Sequence, residues 1–464
     1  MVLRSFSLLI SLLVFFCIVG HVLASASHIV NDNLMRIIDL TTPIVREQVS
    51  VRFENKGASP ISEYDFLVRR EWCDKVADLV AEDKKTSVNL EVTKGSLMNQ
   101  GQIYKIRLNN PIAQGEKTTI TVKIAYVHGL EATPKAIRQM EKQILHYHGR
   151  KYFESPYEIR KQKTIVKTPV GMAVKHYSSG PAVEHKDSTI TYGPFETAQI
   201  KNADEELDVL FEYRKAVLTV PTLQRDLKIS HWGGNLGVEE HYALRVDGAK
   251  LSGQFSRLLF AGQQNLESYF SFVRQLAFNL PQHARDVFYR DEIGNVSTSH
   301  LRHEPRNKQA LLQIQPRYPL FGGWNYTFYY GYNTPLADFA RFHNPSGRYI
   351  LNVPFVKSLP NVAHELVALN ITLPEGARNI RVHLPFAVDK QLHTTRFTTL
   401  DTMGRTMVYL EKRNVVDEHA RELQISYEYP THLLLRKPLV ASAAFAALFA
   451  ISMLYSRMEF KIGK

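Results

Sequence analysis

The sequence predicts a mainly β protein: two antiparallel β-sandwich-like domains outside the cytosol, followed by one C-terminal transmembrane helix. Three observations carry this. Apolar and polar residues alternate in short runs through most of residues 27–432, as strands with one buried face require. The N-terminus holds an apolar run that ends in small residues. Near the C-terminus, Pro438 to Tyr455 contains 18 residues without a charge.

Taken in chain order, Arg4 precedes the apolar run Leu8 to Val19 and an Ala24-Ser25-Ala26 cleavage pattern, so residues 1–26 read as a secretory signal peptide. Ile120, Val122, Ile124 and Tyr126 then alternate with Thr121, Lys123 and Ala125. Similar rows occupy Val49 to Phe53, Val88 to Val92, Leu207 to Tyr213, Tyr242 to Val246, Tyr326 to Tyr332, Val367 to Leu373 and Leu423 to Tyr429. Turn residues such as Asn109-Asn110-Pro111 and Pro374-Glu375-Gly376 separate them, a pattern of sandwiches. The best helical candidate is Lys135 to Leu145, where Ile137, Met140, Ile144 and Leu145 form a stripe after Pro134. A boundary near residues 220–226 divides the region into domains 27–225 and 226–432. Strands ending in tyrosine before a turn, Thr121 to Tyr126 and Gln424 to Tyr429, hint at duplicated sandwiches.

At 1.5 Å per residue, residues 438–455 make a helix of about 27 Å, long enough to span a thin bilayer. Arg436 and Lys437 precede it, and Arg457, Lys461 and Lys464 follow in a short cytosolic tail, 456–464. A cleaved signal and one stop-transfer segment place the bulk of the chain outside the cytosol, an orientation that rests on the signal peptide. The net charge of +12 would otherwise suggest nucleic acid; topology excludes it and leaves lipid headgroups or acidic protein surfaces. Within the span, Ser442, Ala446 and Ala450 recur at four-residue spacing. Either that stripe lets a second helix approach closely or it merely reflects an Ala-rich anchor.

Chemistry is sparse. Cys17 leaves with the signal peptide, so Cys73 stands alone beside Trp72 and reads as a buried, inert thiol. No nucleophile elbow, zincin helix, phosphate loop or calcium loop is present, and no cofactor or metal is expected. His364-Glu365 begins like a zincin but has Ala368 where the second ligand belongs. His146 and His148 suit one strand face without a third ligand nearby in sequence. Glu239-Glu240 and Asp291-Glu292 are adjacent carboxylates that would point to opposite faces of a strand, and read as solvated turns. Three N-x-S/T sequons begin at Asn295, Asn325 and Asn370, candidates for glycosylation, with Asn295 in a turn after Gly294. The aromatic run Trp324 to Tyr332 offers an interaction surface or, by its alternation, a buried row.

Several segments resemble the ribophorin I family: Ser230 to Gly233 with Val238 to Glu240, Tyr289 to Leu301, Pro316 to Trp324, Gly331 to Asn333, Leu373 to Ile380, and Leu400 to Arg405. Earlier, Ser155 to Tyr157 and Tyr192 to Phe195 match as well. The resemblance covers nearly the whole chain. It implies a type I membrane protein of the endoplasmic reticulum with two lumenal β-rich domains, an accessory subunit of the oligosaccharyltransferase complex. That complex transfers a glycan from a dolichol-pyrophosphate carrier to Asn of N-x-S/T sequons in nascent polypeptides. The resemblance implies other subunits as partners, including a catalytic multi-span one, and implies no catalytic residue in this chain. It departs after the span: animal and plant members continue into a sizeable cytosolic region, whereas this sequence stops at Lys464, so direct ribosome contact is not expected from it. The reading of a different class is a lumenal lectin or chaperone-like receptor, to be told apart by glycan binding of residues 27–432.

Overall fold

The computed structural model describes residues 29–458 apart from 181, 198–204, 263–270, 358 and 399–400. The expected signal peptide, Cys17 and the tail beyond residue 458 lie outside the described residues.

Strands dominate. The first half contains β1 (Ile29–Asp39), β2 (Val45–Asn55), β3 (Ile61–Arg69), β4 (Val76–Asp83), β5 (Asn89–Leu97), β6 (Gly101–Ile112), β7 (Lys117–Tyr126), β8 (Leu130–Ala132), β9 (Ala136–Ile137), β10 (Ile144–Arg150), β11 (Glu158–Ile159), β12 (Lys161–Lys167), β13 (Val174–Tyr177), β14 (Val183–Lys186), β15 (Thr189–Glu196) and β16 (Glu206–Glu212). The second half contains β17 (Leu218–Ser230), β18 (Asn235–Val246), β19 (Lys250–Leu251), β20 (Leu276–Pro281), β21 (Arg285–Asp291), β22 (Ser299–Glu304), β23 (Gln309–Ile314), β24 (Asn325–Pro335), β25 (Ala340–His343), β26 (Arg348–Pro354), β27 (Ala363–Thr372), β28 (Arg378–His383), β29 (Lys390–Arg396), β30 (Arg405–Val415) and β31 (Glu422–Glu428).

The two halves repeat one topology. In the first, strands run in the order β14-β15-β12-β1-β2-β7-β4; in the second the order is β29-β30-β27-β17-β18-β24-β21. The remaining sheets correspond strand for strand: β3-β6-β5 with β20-β23-β22, and β13-β16-β10-β8 with β28-β31-β26-β25. Each long order contains a single parallel step, β1 beside β12 and β17 beside β27, so the sheets are mixed where the sequence suggests purely antiparallel ones. The halves differ in two pairings, one being the short β11, which lies beside β1 without a counterpart among the described strands of the second half. In the other, β4 pairs with β5 at Ala81–Leu90 and fuses two sheets in the first half, while their counterparts in the second stay separate.

Each half buries its own apolar core. Leu34, Val49, Val51, Phe53, Phe66, Ile120, Val122 and Phe211 belong to the first, and Leu223, Tyr242, Phe328, Tyr330, Val367, Leu369 and Leu410 to the second. Burial of each large side chain contributes about 1.5–3 kcal/mol. In β18 every second residue from Leu236 to Val246 is buried, and this regular period carries Glu240 inward with its apolar neighbours.

Two sequence expectations need correction here. Residues 220–226 lie inside β17, which runs unbroken from Leu218 to Ser230. The chain passes from one core to the other a few residues earlier: Tyr213 packs in the first and Val220 in the second. The expected helix over Lys135 to Leu145 does not form. Ala136–Ile137 pairs with Lys250–Leu251 of the second half instead, and Ile144 begins β10. Gln139 and Gln143 are buried there, accepting hydrogen bonds from the backbone amides of Ser256 and Ala249. Met140, part of the supposed apolar stripe, is exposed. Pairing across the junction competes with the helix for these residues and wins.

A small apolar cluster of Ile44, Ala125, Val127, Ala363 and Val416 joins the halves, flanked by Arg46 with Glu418 at 2.7 Å. This junction lies at the end of the second unit where β27 begins. The opposite end, where β17 and β27 finish, carries the C-terminal helix Arg436–Arg457. The segment Thr431–Arg457 contains an 18-residue window with a mean hydropathy of 1.9, apolar enough to cross a membrane, and none of that window is buried.

Candidate functional site

The root of that helix is held by charged contacts from the second unit. Two loops of the second unit reach it: Leu373 to Ala377 after β27, and, between β29 and β30, the described residues 397–398 and 401–404. Arg436 Nε lies 3.7 Å from Glu375 Oε1, and Lys437 Nζ lies 3.2 Å from Asp401 Oδ1. Both carboxylates are buried. Glu375 Oε1 accepts the amides of Thr402 and Met403, each at 2.8 Å. Asp401 accepts the Thr398 amide at 2.8 Å and Arg405 Nε at 3.1 Å. Burial by itself would raise both carboxyl pKa values. For Glu375 the amides of Met403 and Thr402 outweigh it, and for Asp401 the Thr398 hydroxyl and amide do so with Arg405 and Lys437, leaving both below the usual range.

Gly376 is specific to this geometry. Its φ of +86° is a left-handed conformation, and a Cβ there would come within 2.5 Å of Leu433 Cδ1 in the turn Thr431–Leu435 that leads into the helix. Glu375 and Gly376 of the segment Leu373 to Ile380, and Asp401 to Arg405 of the segment Leu400 to Arg405, which enter the sequence reading only as marks of resemblance, thus meet at the anchor. Nothing local in either segment announces that meeting.

Ser442, Ala446 and Ala450 lie along one side of the helix and are exposed among the described residues. A neighbouring helix can approach closely along that line.

The three sequons are not equivalent. Asn295 is exposed in the turn after β21, where its Oδ1 accepts from Arg290 Nε at 2.6 Å. Asn325 is exposed at the start of β24. Asn370 is only 8% exposed in the middle of β27, between β17 and β30, and its Nδ2 donates to Asp226 Oδ1 at 2.9 Å. A glycan on Asn370 has no room in this sheet, which argues against that candidate.

The other expected features resolve as follows. Glu239 and Glu240 do face opposite sides, but Glu240 is buried: it pairs with Arg225 Nε at 2.7 Å and accepts the hydroxyls of Tyr242 and Tyr330. Asp291 is buried against Arg317, while Glu292 is exposed. The solvated-turn reading therefore fails for one member of each pair, because strand alternation carries that member inward. Cys73 is half-buried, its thiol donating to the Arg69 carbonyl at 3.1 Å. His364 sits on strand β27 and not on a zincin helix.

His146 and His148 gain a third group that sequence proximity conceals. Asp208, opposite His148 on β16, receives both rings on one carboxylate oxygen, at 2.8 and 2.9 Å. Burial would raise the Asp208 pKa, and the hydrogen bonds from His148 and His146 lower it on balance. The ligand atoms of the three residues lie within 4.8 Å of one another, an arrangement that ring N–H donors to the carboxylate or a shared metal ion would each satisfy. In the aromatic run, Tyr326, Phe328, Tyr330 and Tyr332 are buried, while Trp324 is half-buried and lines an open cleft with Phe255, Phe260 and Tyr318.

Comparison with known proteins adds a consistent set of relatives. The sequence model of the ribophorin I family matches residues 29–456. A dolichyl-diphosphooligosaccharide–protein glycosyltransferase subunit 1B of Oryza sativa subsp. japonica is 34% identical over 437 residues, covering 92% of this chain and 91% of its own length. Subunit 1B of Arabidopsis thaliana is 33% identical, with 95% of each chain covered. Subunit 1 of Caenorhabditis elegans is 31% identical over 93% of this chain and 72% of its own. Among solved structures, native yeast LTA4 hydrolase aligns with 44% of this chain and 32% of its own at 6% identity and a TM-score of 0.26, and no argument rests on it.

Proposed function

This chain belongs to the ribophorin I family, and on that premise we propose that it acts by organising a membrane-bound complex from the lumenal side. It is a non-catalytic subunit of the oligosaccharyltransferase, the dolichyl-diphosphooligosaccharide–protein glycosyltransferase of the endoplasmic reticulum membrane, and serves protein N-glycosylation beside the other subunits.

The observation that carries the organising role is the clamp at the helix root. A spanning helix whose first two basic residues are held by buried carboxylates of the second unit is a fixed post and not a loose tether. Such a post sets the attitude of the second unit above the bilayer, and the first unit continues from its far end. The bulk of the chain then lies in the lumen with residues 456–464 in the cytosol, as a cleaved signal peptide and one stop-transfer segment dictate. The side of the helix bearing Ser442, Ala446 and Ala450 docks on a neighbouring membrane helix, and the lumenal units hold neighbouring subunits and nascent polypeptides near the catalytic subunit. Nucleic acid has no place in this topology. Exposure of Asn295 and Asn325 supports these two as the glycosylated sequons.

Depletion of the chain followed by a glycosylation assay on a multi-sequon reporter tests this reading. The expected result is skipped sequons that are restored by the intact chain. Full glycosylation in its absence overturns the reading. Protease protection in sealed microsomes tests the orientation: residues ahead of 438 are expected to be shielded.

A further inference from the structure

We propose that the helix-bearing end of the second unit rests on the bilayer surface through Trp232, Phe397 and Met403, a footing of exposed side chains around the root of the spanning helix. This rests on the reading of Arg436–Arg457 as a membrane span. The three residues are 69%, 67% and 55% exposed, and they come from two separate loops.

Met403 and Phe397 belong to the loop between β29 and β30. Asp401, between them in sequence, holds Lys437 at 3.2 Å and accepts the Thr398 amide at 2.8 Å, which brings the residue after Phe397 and the helix's second residue to one carboxylate. Met403 donates its own amide to Glu375, the partner of Arg436. Phe397 lies over Gly404, where an added Cβ would come within 3.1 Å of its ring.

Trp232 approaches from another side. It occupies the turn between β17 and β18, next to His231, whose ring stacks on Tyr429 with centroids 4.8 Å apart and an interplanar angle of 13°. Tyr429 stands two residues ahead of the turn Thr431–Leu435, which delivers the exposed Leu435 and Leu439 at the top of the span.

Scattered exposed apolar residues are ordinary on any protein surface. These are not scattered. The headgroup zone adds about 5–7 Å on each side of the hydrocarbon core, and loops tied to residue 437 fall within it. Tryptophan favours that zone because its ring is apolar and its N–H is wet. The occupant is therefore the lipid surface through which the helix enters, continuous with the span itself.

The experiment places the photoreactive residue p-benzoylphenylalanine singly at positions 232, 397 and 403 in the full chain, within the assembled complex in vesicles of labelled phosphatidylcholine. Leu448, in the span, and Leu258, which is 84% exposed in the short helix Arg257–Gly262 near Trp324 at the opposite end, serve as references. Lipid adducts at the three positions are expected at about tenfold or more the yield at position 258. Yields equal to that of position 258, or adducts with protein in place of lipid, overturn the footing while labelling at 448 upholds the span. Absence of lipid labelling at 448 overturns both.

Discussion

The guanidinium of Arg225 lies 2.7 Å from the carboxylate of Glu240, directly across β17 and β18, with both side chains at most 2% exposed. Arg225 also donates to the carbonyl of Pro354, the last residue of β26. The first unit holds a related pair: Arg36 on β1 bonds Glu47 on β2, two positions from the directly opposite Val49, and donates to the carbonyl of Arg150, the last residue of β10. Because β1, β2 and β10 correspond to β17, β18 and β26 in the shared topology, a buried Arg–Glu pair bridges the same two strands in each unit, directly opposed in the second and diagonal in the first. In each unit it ties the first hairpin to a strand of another sheet.

Arg225→Met strands a buried carboxylate and is expected to destabilise the second unit by about 3–5 kcal/mol. Changing Glu240 as well, to Gln, recovers part of that loss. Denaturant unfolding of the solubilised chain measures both, and Arg36→Met is expected to act likewise in the first unit. An Arg225→Met protein as stable as the wild type would show that the pair contributes little.

Acid is expected to weaken the second unit between about pH 6.5 and 4. Burial pushes His231 and His364 down to about 4 and His419 to about 3, from an ordinary value of 6.5. Within that window the unfolded chain binds protons that the folded one refuses, so stability rises with pH. It is fully present above 6.5 and is lost as pH falls toward the folded values. His231→Phe keeps an aromatic ring beside Tyr429 and should flatten the dependence of the melting midpoint on pH; an unchanged slope would rule His231 out as a contributor.

Asp401→Asn removes the charge that holds Lys437 while leaving the size of the side chain. The expected consequence is local: faster amide hydrogen exchange at Thr398, in residues 401–405 and at the start of the helix, with a loss of about 1–3 kcal/mol in local protection. Exchange confined to its wild-type rate in these segments would mean that the clamp is ornamental.

Ala446→Leu fills the small-residue line on the helix. Recovery of partner subunits in mild detergent should fall while membrane insertion stays intact, as for other close helix contacts that depend on small residues. Equal recovery favours the plain anchor.

Asn295→Gln and Asn325→Gln should each remove one glycan, seen as a gel shift that disappears after glycosidase treatment. Asn370→Gln should leave mobility unchanged and lower stability instead, because it disturbs the hydrogen bond to Asp226 inside the sheet.

The sequence alone determined the β character, the single span and the family, since alternation in rows such as Tyr326 to Tyr332, an uncharged run of 18 residues and ordered matches such as Tyr289 to Leu301 are all properties of contiguous chain. It also placed a small-residue line on the helix, which follows from spacing of four. Only tertiary structure decided that residues 136–137 pair with 250–251, that Asp208 meets His146 and His148 from some sixty positions away, that Glu240 is buried, and that Glu375 and Asp401 converge on Arg436 and Lys437. The repeated topology belongs to this second group: the tyrosine-ended runs that hint at duplication, Thr121 to Tyr126 and Gln424 to Tyr429, fall in β7 and at the end of β31, which hold different places in the two orders. Strand pairing is a long-range choice: a strand carries its period in its own residues, but its neighbours are selected by burial and hydrogen bonding across hundreds of positions, and that selection leaves no local mark.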